Sequence, residues 1–152
     1  MDSKAYRFLF LCSLSLILPG KLFAAGDLTS QSAITRTVNL GNSQNKLRFY
    51  PASLQFETGK LYKLVIHNPS RQKHYFSAEG LARAVFTRKV QVLAGNGKTI
   101  AEVKGSINEI EVYPGGTAEW WFVPVKTLKS SQLHCSIKGH TEAGMMGKIE
   151  IK

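Results

Sequence analysis

"LHCSIKGHTEAGMMGKIEI" (Leu133–Ile151) places a cysteine, a histidine and two methionines between two runs with strand-like alternation. Successive side chains of a strand point to opposite faces of its sheet. In "SQLHCSI", Leu133, Cys135 and Ile137 therefore share one face, and Gln132, His134 and Ser136 share the other. The apolar company of Cys135 puts it inside. In "GKIEIK", Ile149 and Ile151 point inward while Lys148, Glu150 and Lys152 point to water. Carried backwards, that alternation puts Met145 on the inward parity and Met146 on the outward one.

The rest of the chain has the same texture. "LRFYPASLQF" (Leu47–Phe56) and "KLYKLVIHN" (Lys60–Asn68) are β-rich runs separated by the turn signal Thr58-Gly59. "KHYFSA" follows the turn "NPSRQ", with His74 and Phe76 on one face and Tyr75 on the other. "INEIEVYPGGTAEWWFVP" (Ile107–Pro124) alternates on both sides of Pro114-Gly115-Gly116 and reads as a hairpin. Short strands at regular spacing with Gly and Pro turns predict an all-β sandwich. "AEGLARAVFTRK" (Ala78–Lys89) departs from the pattern. Leu81, Ala84, Val85 and Arg88 have helical spacing, which predicts a short helix or ordered crossover on one edge of the sandwich.

The start of the chain reads as a secretory signal. Lys4 and Arg7 precede the apolar run Phe8–Leu18, and the small residues Ala24, Ala25 and Gly26 follow. The run is too short to span a bilayer. Residues 1–26 are assigned to this signal peptide and 27–152 to one domain. A chain of 126 residues buries about two-thirds of its unfolded surface. The signal carries Lys4, Arg7 and Lys21 against Asp2, a net +2, so of the formal +10 the domain keeps +8. Such a balance favours acidic partners. Nucleic acid is excluded as a target because the chain is expected to be exported and its basic residues are scattered. No second apolar run follows, so no stable membrane insertion is expected after cleavage.

Cys135 is then the single cysteine of the domain, although exported proteins normally use cysteines in pairs. It could be an inert core thiol, an intermolecular bridge, a nucleophile or a metal ligand. A core thiol does not explain His140 and Met145 at the spacing Cys-x4-His-x4-Met. A Cys–His nucleophile lacks a third orienting group and an oxyanion motif. Zinc accepts cysteine and histidine, but methionine is a poor zinc ligand. Thiolate, imidazole and thioether together suit copper, and His74, just after a turn on an inward-facing strand, supplies a second imidazole. Of the remaining residues, His67 is expected to be structural, His134 to face away from Cys135, and one of Trp120 and Trp121 to enter the core. Glu119 is a weak candidate for an extra ligand. Arg71, Lys73 and Lys138 flank the ligands as a charged rim.

"LHCSIKGHTEAGMMGKIEI" resembles the C-terminal copper loop of the cupredoxins, the plastocyanin- and azurin-like type 1 copper proteins. "KLYKLVIHNPSRQKHYF" is similar to the strand–turn–strand that carries their first histidine. The resemblance extends from Leu47 onward, except across Glu79–Gly105, and is looser before Leu47. It implies a cupredoxin-like Greek-key β-sandwich holding one copper ion per chain, with His74, Cys135 and His140 equatorial and Met145 axial. Ser136 matches the Ser or Thr usual after the cysteine. Tyr75 departs from the Asn that many members carry after the first histidine to tie the ligand loops together, which bears on potential and rigidity.

The resemblance implies a monomeric, non-enzymatic carrier of single electrons in the periplasm, or in the thylakoid lumen of a photosynthetic organism. Its expected partner is a redox protein with an acidic docking surface. The alternative is a copper-handling protein for buffering, delivery or copper tolerance, with a copper-trafficking partner. Methionine- and histidine-rich tails that would favour metal scavenging are absent. A copper oxidoreductase would need an open coordination position, which a complete four-ligand set does not leave.

Overall fold

The computed structural model of the protein describes residues 30–152. The expected signal peptide, residues 1–26, lies outside the described residues. Among the described residues no helix is long and apolar enough to cross a membrane.

Among the described residues eleven strands and one short helix follow one another in the order β1 (Ile34–Leu40), β2 (Phe49–Tyr50), β3 (Ser53–Phe56), β4 (Tyr62–His67), β5 (His74–Ser77), α1 (Glu79–Ala82), β6 (Val85–Leu93), β7 (Thr99–Val103), β8 (Glu109–Val112), β9 (Thr117–Pro124), β10 (Leu128–His134) and β11 (Met146–Ile151). They form two sheets, one ordered β2-β1-β4-β9-β6-β7 and the other β3-β11-β10-β5-β8. Two pairs, β1 with β4 and β3 with β11, are parallel; the others are antiparallel. The fold class expected from the strand pattern is the one observed.

The core follows from alternation. Along β4, Tyr62, Leu64 and Ile66 are buried, and across the ladder they face the buried Phe122, Trp120 and Ala118 of β9. From the opposite sheet come Phe56, Phe76, Leu133, Ile149 and Ile151. Edge-to-face contacts join the aromatic rings: Phe56 to Tyr62 at 4.9 Å, Phe56 to Phe122 at 5.2 Å and Trp120 to Phe122 at 5.3 Å between centroids. Such pairs add about 0.5–1.5 kcal/mol each beyond the area they bury. Trp120 is 1% exposed and its neighbour Trp121 lies on the outer face, its ring flanked by Lys63 and Lys89. The two tryptophans divide between core and surface as alternation requires.

Three local expectations are corrected. Pro114-Gly115-Gly116 does not close a hairpin: β8 belongs to one sheet and β9 to the other, so this turn carries the chain across the sandwich. Leu47–Phe56 is likewise split. Pro51 has no N–H to extend a ladder, so β2 stays on one sheet and β3 joins the other beside β11. Of Ala78–Lys89 only Glu79–Ala82 is helical. Leu81 and Ala84 are buried as their spacing predicted, but Val85 onward is strand β6, which lies along the full length of β9 and turns back as β7. Ladder bonds to β9 outweighed a single turn's helical periodicity.

The corner at one end of the sandwich depends on Asn68, which is fully buried. Its Nδ2 donates to the carbonyls of Gln72 and Val112, both at 2.8 Å. Its Oδ1 accepts from the Ser70 N–H at 3.0 Å and the Ser70 hydroxyl at 2.7 Å. Its backbone exchanges bonds with Gly116 and Gly115. One side chain thus ties the β4–β5 turn to the β8–β9 crossing. Asn68→Ala strands several buried partners at once, and a buried polar group left unpaired costs about 1–3 kcal/mol. The expected loss is about 3 kcal/mol in chemical denaturation. A loss below about 1 kcal/mol would show that water replaces the amide.

Candidate metal centre

Cys135 directly follows β10, His74 opens β5, and His140 and Met145 lie in the loop before β11. That loop, 135–145, is closed by its own backbone. The Cys135 N–H donates to the Met145 carbonyl at 3.2 Å, and the Met145 N–H donates to the His140 carbonyl at 2.9 Å. The Thr141 hydroxyl donates to the Cys135 carbonyl at 2.9 Å. Each of the three residues is therefore bonded within the loop, and the two four-residue intervals are the lengths that close these rings. Cys135 and Met145 are completely buried and His140 is half-buried.

His74, Cys135 and His140 each turn one ligand atom into a common space, all within 4.8 Å of one another. Cys135 Sγ lies 3.9 Å from His74 Nδ1 and 3.4 Å from His140 Nδ1. A metal ion about 2.3 Å from a thiolate and about 2.0 Å from an imidazole nitrogen would set such donors about 3.8 Å apart in a trigonal plane. The spacings fit one ion. Sulfur, two imidazoles and a buried methionine in the same loop form a donor set suited to copper, in which a weak axial thioether is the type 1 arrangement.

Two contacts orient the set. The Tyr75 N–H donates to Cys135 Sγ at 3.3 Å, a bond that stabilises negative charge on sulfur. The Tyr75 phenol points away from the site, to Glu111 on the outer face, and this hydrogen bond holds its pKa above the usual value. Gly41 supplies the second contact. Its φ of +77° is one that side chains rarely adopt, and a Cβ there would sit 3.2 Å from His74 Nε2. The chain turns tightly against that nitrogen, leaving Nδ1 to face the sulfur. Burial first, and then the nearby His140, lower the His74 pKa to about 4, so the ring is neutral at pH 7 and free to bind a metal.

The other sequence candidates fall elsewhere. Glu119 pairs with Lys63 at 3.3 Å and accepts from Trp121 Nε1, so it is no part of the cluster. His67 Nδ1 lies 3.1 Å from the Gly116 carbonyl and 3.0 Å from the Thr117 hydroxyl, a structural role. His134 sits on the outer face of its sheet, opposite Met146. Met146 is 48% exposed where Met145 is buried, in agreement with the strand parity. Lys73 is neutralised by Glu111 at 2.7 Å. Sequence reasoning missed Asn68 and Gly41. Asn68 had a legible local signal in Asn-Pro-Ser, the pattern of a turn capped by its own side chain. Gly41 had none.

No family model matches the sequence, and no curated protein matches it. Solved structures do. The multicopper oxidase of Campylobacter jejuni superposes with a TM-score of 0.58 at 20% identity over 81% of this chain and 31% of its own. The chain thus spans about a third of that oxidase. Auracyanin A, a blue copper protein of Chloroflexus aurantiacus, superposes at 0.51 with 17% identity over 80% of this chain and 100% of its own. The auracyanin of Roseiflexus castenholzii gives 0.50 at 15% identity over 80% and 99%. These likenesses show a cupredoxin fold.

The depressed His74 pKa has a consequence for the metal-free protein. Between pH 6.5 and about 4 the unfolded chain binds a proton at this ring that the folded chain refuses. Stability present above pH 6.5 is therefore lost as pH falls through that window, by up to about 3 kcal/mol. Thermal unfolding of metal-free wild type against His74→Gln should show the slope in the first and a flatter profile in the second.

Proposed function

We propose that this protein is an exported electron carrier holding one copper ion, and that it makes and breaks no bonds. The observation that carries the reading is the preassembled set: two imidazole Nδ1 atoms within 3.9 Å of one buried thiol, beside a buried methionine. Bound copper would supply a one-electron Cu(II)/Cu(I) couple. The chain's part is to keep the donors in place in both states. The hydrogen-bonded loop holds Cys135, His140 and Met145 against relaxation, the Tyr75 N–H steadies charge on the sulfur, and burial of Cys135, Met145 and His74 keeps water away from these donors. His140, the half-buried ligand, is the edge through which an electron would leave.

Exposed cations lie in the segments that carry the two histidines and in the loop beside His74. Lys46 and Arg48 lie in the loop that abuts His74, Arg71 in the β4–β5 turn and Lys138 just before His140. Among the described residues these four make no ion pair. They support an acidic docking partner, as does the domain's formal +8. Export to the periplasm, residues 1–26 as a cleaved signal, 27–152 as the domain and a monomeric state belong to the same proposal.

Copper titration followed by visible spectroscopy tests the reading. Wild type should take up one equivalent and show an intense thiolate-to-Cu(II) band, which Cys135→Ser abolishes while the fold persists. Intense colour in Cys135→Ser would overturn the ligand assignment. A colourless copper protein whose deletion causes copper sensitivity with respiration intact would favour copper handling. An axial ligand tunes the potential more than it holds the metal. Met145→Leu should therefore retain copper with a raised reduction potential, and Met146→Leu should change neither. If the cationic rim guides docking, electron transfer should slow as salt rises, since exposed charges are screened over about 10 Å at 0.1 M. Rates indifferent to salt would remove electrostatic docking.

A further inference from the structure

The strands that deliver His74 and Cys135 are neighbours in one sheet, yet their ladder is short: β5 and β10 share a single registered pair, Ser77 opposite His134. Beyond it the chain from Cys135 onward leaves the sheet. Two cross-links continue the connection. One is the Tyr75 N–H to Cys135 Sγ bond. The other comes from β8, on the far side of β5. One oxygen of Glu109, Oε2, accepts from the Ser77 hydroxyl at 2.7 Å and from the Ser136 hydroxyl at 2.9 Å. Ser77 ends the strand that His74 opens, and Ser136 follows Cys135 directly.

The geometry points to Glu109 as a positioning residue for the metal centre, one carboxylate oxygen clamping the cysteine segment to the histidine strand. The inference rests on the copper reading for its consequence, but the clamp itself belongs to the metal-free chain. Glu109 is well anchored for the task. It pairs with Ser77 in the β5–β8 ladder, and the Ala78 N–H donates to the carbonyl of Asn108 just before it at 3.0 Å. Bonds to a charged acceptor are about twice as strong as neutral ones, and two donors meeting on one oxygen restrain Ser136 relative to Ser77 in more than one direction. The backbone of Ser136 carries that restraint to Cys135, whose N–H and carbonyl are already bonded within the loop. Glu109 thus holds the outer side of the site, and the loop's own bonds hold the inner side.

The clamp predicts a specific order among variants. In metal-free protein, Glu109→Ala and Ser136→Ala should both raise amide hydrogen exchange across residues 136–140 about tenfold, the opening expected when one charge-assisted bond is lost. Glu109→Gln keeps an oxygen that accepts both hydroxyls and should exchange like wild type. With copper loaded, the alanine variants should shift and broaden the charge-transfer band, whereas Glu109→Gln should keep its position and change only the reduction potential, through the lost charge. Exchange in Glu109→Ala equal to wild type, or Glu109→Gln behaving as Glu109→Ala, would overturn the clamp. Ser136→Ala removes one hydroxyl from an exposed position and guards against a fold-level effect of the Glu109 variants. If wild type takes up no copper, the function reading fails while the exchange series still decides the clamp. If wild type is coloured and the series is flat, the clamp alone fails.

Discussion

The hydrogen bond from the Cys135 N–H to the Met145 carbonyl closes the loop between β10 and β11, and the site is built on that closure. It makes the cysteine and the methionine neighbours across the mouth of a hairpin whose strands are already paired through Gln132–Lys148 and His134–Met146. His140 has no freedom to wander, because its own carbonyl accepts from Met145 and its N–H donates to Ile137. A metal entering such a site finds three of four donors from one rigid ring. The ordering entropy is met on folding, when the sandwich has a large apolar core to offset it.

The fourth donor comes from a different part of the chain and needs a separate device. His74 is placed by the corner at Asn68, which joins the β4–β5 turn to the chain's crossing between sheets. Gly41 brings the first sheet's edge against the same ring, and Tyr75 bonds the sulfur through its backbone. Gly147 has the matching role at the other end of the loop. A Cβ there would collide with the Ala52 carbonyl, and that carbonyl accepts from the Lys148 N–H at 2.9 Å. Close approach at Gly41 brings the end of β1 in one sheet against the His74 ring of the other, and close approach at Gly147 seats β11 against the chain entering β3 in its own sheet.

Two features separate this chain from a minimal sandwich. The β6–β7 hairpin extends one sheet beyond the edge of the other, leaving β7 wholly exposed and Ile100 and Val103 in contact with solvent. The outer face beside it carries Lys63 and Lys89 over Trp121, with Glu119 and Glu102 as counter-ions. These charges are largely paired with one another. Among the described residues the cations without an ion pair include Lys46, Arg48, Arg71 and Lys138, in segments beside the ligands, and also Arg36, Lys60, Lys98 and Lys126, in other strands and turns.

Much of this was legible in the residues themselves. Alternation assigned the core faces of β4, β9 and β11, the inward side of Cys135 and the burial of Met145 rather than Met146, because burial of every second side chain leaves its mark on local composition. The order and spacing of Cys135, His140 and Met145 carried the chemistry, since a loop that closes on its own backbone must have its length written in the chain. What local pattern could not contain is the choice of sheet for each strand. Pro114-Gly115-Gly116 looks the same whether it closes a hairpin or crosses the sandwich, and Ala78–Lys89 shows helical spacing over a single turn before ladder bonds to β9 take over. Asn68, Gly41 and Glu109 matter through partners far along the chain: Val112, His74 and Ser136. Their roles exist only once tertiary structure brings those groups within hydrogen-bond or van der Waals distance.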